Sequence, residues 1–377
     1  MKFSISSDTL GKNIQGLSKM MNGKASLAIL DHYLFEIDGN VLNATASDGE
    51  NMMRTTAELM ESDLMPGEQL RFCIHSRVLG DFLKNIPVQP LTVTVKDKSE
   101  ITVNYMNGHV CFPCVSDEEY PTFDILTGDT ETALLPSNLM QDDITRTSSF
   151  TAQDTMRPVL SAVNFNFKKE GLDVVSCNGQ VMMKNSHPGN TTENEGNFLL
   201  PPKPAALLRH FLTKEALDIC VKFNDNAAQF VGDKWQLTCR LIEGRYPNYN
   251  SVIPKDNDKT LLIDKRALQD AIRRMLPMGD QHMKTIKMEI DYSELILSCQ
   301  DIDFNTSAKE KMPCEYDGNP MAIGVNGDVL NTILSQMPSD NVRISLSECS
   351  RPLLVSPAEE TEGLQVTALL MPTLLNE

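Results

Sequence analysis

Cys111-Phe112-Pro113-Cys114 is the one stretch of this sequence whose residue types and spacing match a reactive motif. Two thiols separated by two residues exchange disulfides when the pair opens a helix, because the helix N-terminus lowers the first thiol's pKa. Here the pair follows turn and strand text, Asn107-Gly108-His109-Val110, and runs on into Val115-Ser116-Asp117. The expectation is two strand cysteines rather than a redox centre. A structural zinc site needs a second such pair, which this one lacks. The six histidines (His32, His75, His109, His187, His210 and His282) are isolated. No Gly-rich phosphate loop, His-Glu-x-x-His pair or Gly-x-Ser-x-Gly elbow occurs. Acidic clusters such as Asp117-Glu118-Glu119 and Glu359-Glu360 read as solvated loop. The chain is expected to be no enzyme and to hold neither metal nor cofactor.

What the sequence offers instead is placed charge. Lys and Arg total 34 against 51 Asp and Glu, a net charge of −17. An ordinary nucleic-acid binder is basic, so the totals argue against that class. Placement argues otherwise. Residues seven apart on a helix lie within about 20° of one azimuth. Lys12 and Lys19, Arg77 and Lys84, Lys203 and His210, and Arg266 and Arg273 are all spaced this way, with Arg209, Lys265 and Arg274 beside them. Over the helical stretches together, basic residues outnumber acidic ones, so the excess negative charge lies elsewhere. Such stripes suit loose, sequence-independent and salt-sensitive phosphate contact. With one Trp and seven Tyr, no aromatic platform for stacking single strands is evident.

The elements that must carry these stripes recur. Phe3-Ser4-Ile5 leads to Leu10, Ala133-Leu134-Leu135 to Leu139, and Leu261-Leu262-Ile263 to Leu268, with the three leucines 129 and again 129 residues apart. A second strand and helix repeats in each unit. Leu79, Phe82, Leu83 and Ile86 form one apolar stripe, Leu208, Phe211 and Leu212 another, and Leu330, Ile333, Leu334 and Met337 a third. Alternating text such as Leu91-Thr92-Val93-Thr94-Val95 reads as half-buried antiparallel strand. Asp48-Gly49 and Asn178-Gly179 are hairpin signals at matching positions of two repeats. The fold class is therefore α+β: three similar β-rich domains with two helices each, over residues 1–127, 128–254 and 255–377. Nine scattered cysteines suit reduced thiols, and no apolar run approaches the ~18 residues of a membrane span. A soluble, cytoplasmic protein without membrane partners is expected.

Leu241-Ile242-Glu243-Gly244-Arg245-Tyr246-Pro247-Asn248-Tyr249, followed by Val252-Ile253-Pro254, resembles the junction of the second and third domains of the bacterial sliding-clamp family, the β subunit of DNA polymerase III. The ending Leu369-Leu370-Met371-Pro372 and the start Met1-Lys2-Phe3 are also similar to that family, and the resemblance spans the whole chain. It implies the DNA clamp fold: each chain is half of a closed, head-to-tail homodimeric ring that encircles double-stranded DNA without reading its sequence. The ring would act as a processivity factor in DNA replication. Implied partners are the replicative polymerase, the clamp loader and other proteins carrying short clamp-binding peptides.

By position, the resemblance implies DNA contacts at Lys24, Arg77, Lys84, Gln153 and Lys203, joined by Lys12 from the stripe. The implied peptide cleft takes Leu160, Cys177, Gly179, Val181 and Met182 from one side. Pro247, Val252 and Met283 are implied next, with Leu369, Leu370, Met371, Pro372 and Leu375 at the C-terminus. Methionine is polarizable and adaptable, which favours varied peptides. Val110, Pro277 and Met278 match the family's dimer interface. The family's common Thr-Asp-Gly-His-Arg-Leu tract stands here as Cys177-Asn178-Gly179-Gln180-Val181-Met182, which loses an acidic and a basic side chain. The competing reading is a peptide-binding scaffold that does not encircle DNA.

Overall fold

One local device closes three hairpins among the described residues. The side-chain oxygen of Asp48 accepts the backbone N–H groups of Glu50 (2.9 Å) and Asn51 (2.7 Å). Asn178 does the same for Gln180 and Val181, both at 3.0 Å, and Asn224 for Asn226 (3.0 Å) and Ala227 (2.9 Å). Gly49 and Gly179 follow with φ of 93° and 95°, a left-handed backbone that glycine adopts without a Cβ penalty. Each turn closes a hairpin, and the hairpins build the sheets.

The computed structural model describes residues 1–21, 27–65, 67–96, 99–153, 156–190 and 195–375. Among these are seven α-helices: α1 (Ser7–Ser18), α2 (Ser76–Asn85), α3 (Ser137–Ser148), α4 (Pro158–Ser161), α5 (Pro202–Phe211), α6 (Lys265–Met275) and α7 (Gly327–Gln336). Apart from the single turn α4, they fall two to each expected repeat. Each buries one stripe: Leu10, Ile14 and Leu17 on α1, and Leu268, Ala271, Ile272 and Met275 on α6. Asp264 and Asn326 cap α6 and α7 by accepting from Ala267 N (2.6 Å) and Val329 N (3.1 Å).

The equal leucine spacing is off by one residue in the second repeat. Ser7 and Ser137 are the matching first residues of α1 and α3. Each donates its N–H to the residue just before the strand that follows the next long helix (Ser7 to Gln89 O, 2.9 Å; Ser137 to Leu217 O, 2.8 Å). The counterpart of Leu10 is then Met140, fully buried, while Leu139 is half-exposed.

The chain divides into two compact units. Unit 1 holds Met1–Gln141 and Lys203–Leu241, and unit 2 holds Asp142–Pro202 and Ile242–Glu377. Unit 1 has a five-stranded antiparallel sheet in the order Glu61–Ser62, Lys2–Ser6, Pro90–Lys96, Glu100–Tyr105, Gly108–Pro113. Its eight-stranded sheet runs Glu131–Pro136, Asp218–Phe223, Ala227–Val231, Trp235–Arg240, Asn51–Glu58, Val41–Ser47, His32–Asp38, Gln69–His75. In unit 2, the nine-stranded sheet runs Gly196–Leu200, Val163–Lys168, Gly171–Cys177, Val181–Pro188, Gln365–Leu370, Leu353–Pro357, Asn341–Leu346, Lys259–Asp264, Glu315–Tyr316. Its four-stranded sheet runs Thr306–Pro313, Glu294–Asp301, Thr285–Ile290, Met321–Asn326.

The central stretch of the sequence therefore gives strands to both large sheets. Its Trp235–Arg240 pairs with Asn51–Glu58 of the first repeat, setting Thr238 opposite Met52. Its Val181–Pro188 pairs with Gln365–Leu370 of the third, setting Met182 opposite Leu369. Cys111 lies on the outer strand Gly108–Pro113, and Cys114 just beyond it donates its N–H to Ser99 O (2.9 Å). The Cys-x-x-Cys motif is on a sheet margin and opens no helix. No described helix is long and apolar enough to cross a membrane.

Candidate functional site

In unit 1, the neighbouring helices α1 and α2 carry Lys12, Arg77 and Lys84 around one groove of about 720 Å³. The apolar stripe of each helix faces the core, which leaves the basic positions outward. Lys12 pairs with Asp8 (2.7 Å), and Asp81 lies 3.8 Å from Arg77 and 3.5 Å from Lys84. Arg77 and Lys84 remain 85% and 76% exposed. Exposed pairs of this kind are worth ~0–1 kcal/mol, so a phosphate competes for these cations easily. The arrangement gives cations that touch and release.

Lys203 is the least exposed of these cations. Its Nζ donates to Met20 O (3.0 Å) and forms an ion pair with the well-buried carboxylate of Asp48. Burial pushes the Asp48 carboxyl up, but the bonds from Lys203, Asn51 and Glu50 outweigh it and hold the group below the usual carboxylate range. Lys203 thereby ties α5 to the Asp48 turn rather than presenting a free ammonium. At the end of the same stripe, Lys19 Nζ lies 3.0 Å from His210 Nδ1. Partial burial and the nearby ammonium lower the pKa of His210, favouring the neutral ring that can accept this bond. Gln153 is exposed in unit 2, and Lys24 lies outside the described residues. Arg266 and Arg273 are exposed on α6, with Arg273 near Asp270 (3.6 Å).

All thirteen expected peptide residues lie in unit 2, and four of them meet at one apolar cluster. Leu160, Met182 and Leu369 form one apolar cluster with Ala152, Ala162, Val175, Leu199, Tyr246 and Tyr249. Cys177, Ile253 and Leu354 pack against it. Alternation along the strands decides membership. Val181 and Leu370, opposite each other one step along, point to the other side of the sheet and belong to the large core of the third repeat. Pro247 is exposed at the rim, as are Val252 (54%) and Met371 (40%). Met283 is exposed on a loop whose backbone O accepts from Asn326 Nδ2. Gly179 forms the turn beside Cys177 and donates its N–H to the thiol at 3.3 Å. Burial pushes that thiol's pKa up, with the Gly179 N–H and Arg157 opposing.

The C-terminal tail is bound to the sheet. Met371 N–H donates to Gln180 O (2.9 Å) and Thr373 N–H to Gly324 O (2.8 Å). A Cβ at residue 324 would sit 2.7 Å from Thr373 O and 2.8 Å from Leu375 Cδ2, so only glycine admits the tail there. This holds Pro372 and Leu375, both half-buried, near the end of the strand Gln365–Leu370.

The wall containing Pro247 is fixed from beneath. Tyr249 OH donates to Asp173 Oδ2 (2.8 Å) and accepts from Asn166 Nδ2 (2.8 Å). Lys168 and Lys184 both pair with Asp173 and lie 5.4 and 5.6 Å from the Tyr249 ring centre. Sequence reasoning missed this support, and it missed Arg157. The Arg157 Nη1 lies 3.6 Å from where a Cβ on Gly179 would stand, which brings a cation to a tract that lacks one of its own. Cross-strand pairing could have found the first, but no local signal announces the second.

Among the described residues, the expected seam residues lie on or beside the outer strands of their sheets. Val110 is on the outer strand Gly108–Pro113 of unit 1. Pro277 and Met278 form an exposed 3-10 turn in unit 2, where Met278 O accepts from Thr306 Oγ1 (2.9 Å) on the outer strand Thr306–Pro313. Ile302 and Phe304, 85% and 76% exposed, sit on the hairpin leading into that strand. These two went unnoticed in the sequence. Open strand margins with apolar side chains are surfaces proteins normally cover.

Profiles of the DNA polymerase III beta subunit match nearly all of the chain: the N-terminal domain over residues 1–124, the central domain over 134–248 and the C-terminal domain over 250–373. The beta sliding clamp of Pseudomonas putida is 23% identical over 359 residues, covering 95% of this chain and 96% of its own. That of Escherichia coli is 23% identical over 349 residues, covering 92% and 93%. Among solved structures, a Pseudomonas aeruginosa DnaN sliding clamp bound to griselimycin superposes with a TM-score of 0.93 at 21% identity over 100% of both chains. The DNA polymerase III beta subunit of Thermotoga maritima gives 0.88 at 18% identity, again over 100% of both. With its repeated hairpins, its paired helices and these three consecutive matches, the chain belongs to the DNA polymerase III β subunit family, the bacterial sliding clamps.

Proposed function

We propose that this protein is a DNA sliding clamp, a non-enzymatic processivity factor that acts in DNA replication as a closed homodimeric ring around duplex DNA in the cytoplasm. Its domains in this reading are residues 1–127, 128–254 and 255–377. The observation that carries it is the weakly neutralised cation set on α1 and α2, Lys12, Arg77 and Lys84, in a chain of net charge −17. Cations this loosely paired attract phosphate, and their small number keeps the hold weak enough for motion along the duplex. Retention then comes from enclosure. Lys24 and Gln153 complete the proposed DNA contacts, while Lys203 serves as the strut described above.

The apolar cluster of unit 2, with Leu160, Cys177, Met182, Leu369 and the bound tail, takes the short peptides of the polymerase, the clamp loader and other clamp-binding proteins. A polymerase tethered in this way re-engages its primer at a high effective concentration, in the millimolar range for a short linker. Val110, Pro277 and Met278 lie in the dimer seam. The test is retention after loading onto nicked circular DNA, followed by linearisation. Release on linearisation supports the ring. Equal loss from circular and linear DNA rejects it in favour of a scaffold that never encircles DNA.

A further inference from the structure

Lys12, Arg77 and Lys84 each lean on a carboxylate, whereas Lys19 leans on a base. Among the described residues no acid pairs with Lys19, and its Nζ lies 3.0 Å from His210 Nδ1. An ammonium only donates, so Nδ1 accepts and the ring proton sits on Nε2. Packing beneath holds the two residues together. Phe211 lies against bare backbone of α1, its Cζ 2.6 Å from where a Cβ on Gly16 would stand. Its ring meets that of His210 edge-on, 5.5 Å between centres, and that of Trp235 at 5.8 Å. Lys19 and His210 are both exposed. At this point the basic stripe of α1, Lys12 and Lys19, meets that of α5, Lys203 and His210.

This bond responds to protons near neutrality, and the acid pairs of the other cations do not. Carboxylates stay ionised well below the range where imidazole titrates. Partial burial and the Lys19 charge lower the His210 pKa from 6.5, which keeps the ring neutral above that value. The remaining charges on the elements around it are engaged or without effect on it. On α1, Lys12 pairs with Asp8. On α5, Lys203 is bound to Asp48 and Arg209 is exposed, with Lys214 and Glu215 beyond the helix end. Gln141 of α3 gives its amide to Arg209 O and Leu212 O (3.4 and 2.8 Å), while Asp142 pairs with Arg146 and Asp143 with His187. Asp233 and Lys234 precede Trp235. Of these charges, only that of Lys19 acts on the ring. A proton on Nδ1 removes the acceptor and sets two cations against each other. A phosphate between them takes a charge-assisted bond from each and cancels the repulsion.

We propose that His210 is a proton-coupled DNA contact: neutral, it holds Lys19 back, and protonated, it releases Lys19 so that both bind one phosphate of the duplex. The inference rests on the sliding-clamp reading and adds to it a dependence of DNA affinity on pH. Binding takes up a proton, so affinity rises as pH falls, by at most about tenfold per pH unit for each proton bound. The test is binding of a short duplex by the full-length protein over a salt series, at about pH 8 and about pH 5.5, on either side of the imidazole range. The wild-type salt slope should steepen by about one on acidification. His210→Gln, whose amide oxygen accepts from Lys19 but never gains charge, should lose that steepening. His210→Lys should show the steeper slope at both pH values. In the wild-type protein, the histidine ring resonance that is missing from His210→Gln spectra should titrate at higher pH once duplex is added. A wild-type slope that does not steepen, equal steepening in His210→Gln, or a ring midpoint that duplex leaves in place overturns the proposal, with the clamp reading intact. Duplex that binds at neither pH rejects the clamp reading and this inference with it.

Discussion

Replacing Lys203 with Met separates a strut from a DNA contact. Lys203 bonds Met20 O and the Asp48 carboxylate, and its side chain is 30% exposed. A hydrogen bond to a charged group is worth about 1.5–3 kcal/mol. Partial exposure and the partners that Asp48 retains, Asn51 and the Glu50 N–H, place the loss near the lower end, ~1.5 kcal/mol, or about tenfold in the folding equilibrium. Trp235, the single tryptophan, lies opposite Thr55 on the strand leading from the Asp48 turn, so its fluorescence reports unfolding of this sheet. A double-mutant cycle of Lys203→Met with Asp48→Asn in urea should give a coupling of ~1–2 kcal/mol. Binding of a short duplex across a salt series should keep its slope in Lys203→Met, whereas Arg77→Ala and Lys84→Ala should each reduce it by about one. A slope reduced in Lys203→Met as much as in Arg77→Ala, with no change in the urea midpoint, would refute the reasoning.

Removing residues 371–377 takes away the tail that bonds Gln180 O and Gly324 O. Binding of a clamp-binding peptide should fall at least tenfold, by titration calorimetry, while retention on circular DNA persists. Phe304→Asp or Met278→Asp puts a charge on the apolar surface proposed as the seam, and mass in solution should drop from about twice 42.0 kDa to a single chain. Asp173 carries an acid-stability prediction. Burial raises its pKa, but the bonds from Lys168, Ser186 and Tyr249 together with the Lys184 charge outweigh that and hold it below 3.8. The unfolded chain therefore takes up the proton first as pH falls. The stabilisation is complete above 3.8 and is lost as pH drops through the lower folded value. Asp173→Asn should lose stability at neutral pH and show a shallower acid decline in urea midpoints. An identical decline in both proteins contradicts this assignment.

Local chemistry made the hairpins and helices readable. Asp48-Gly49 and Asn178-Gly179 specify their turns within four residues, and the buried stripes of α1 and α6 are periodic in the text. The slip between Leu139 and Met140 arose because both residues are apolar and either could fill the stripe, whereas Ser137's bond to Leu217 O is non-local. The pairing of Trp235–Arg240 with Asn51–Glu58 joins segments far apart in sequence, which no window of residues can show. Lys203 was legible as a cation, but its partner lies 155 positions earlier, at Asp48. Of the peptide residues, Met182 and Leu369 share a face through strand alternation, and the same alternation sends Val181 and Leu370 to the other.

The strand exchange in the middle of the chain bears on how such a protein can be divided and how it diverges. A fragment cut near Thr127 or Pro254 leaves Asn51–Glu58 without Trp235–Arg240, or Gln365–Leu370 without Val181–Pro188. Each fragment then bares a ladder of unmatched amides, which invites clumping instead of independent folding. Three similar modules joined through strands of the middle one also cannot drift separately. A register slip in the middle copy would disturb both neighbours, so the zipper-like margins are inherited as a set while the side chains between them are free to change.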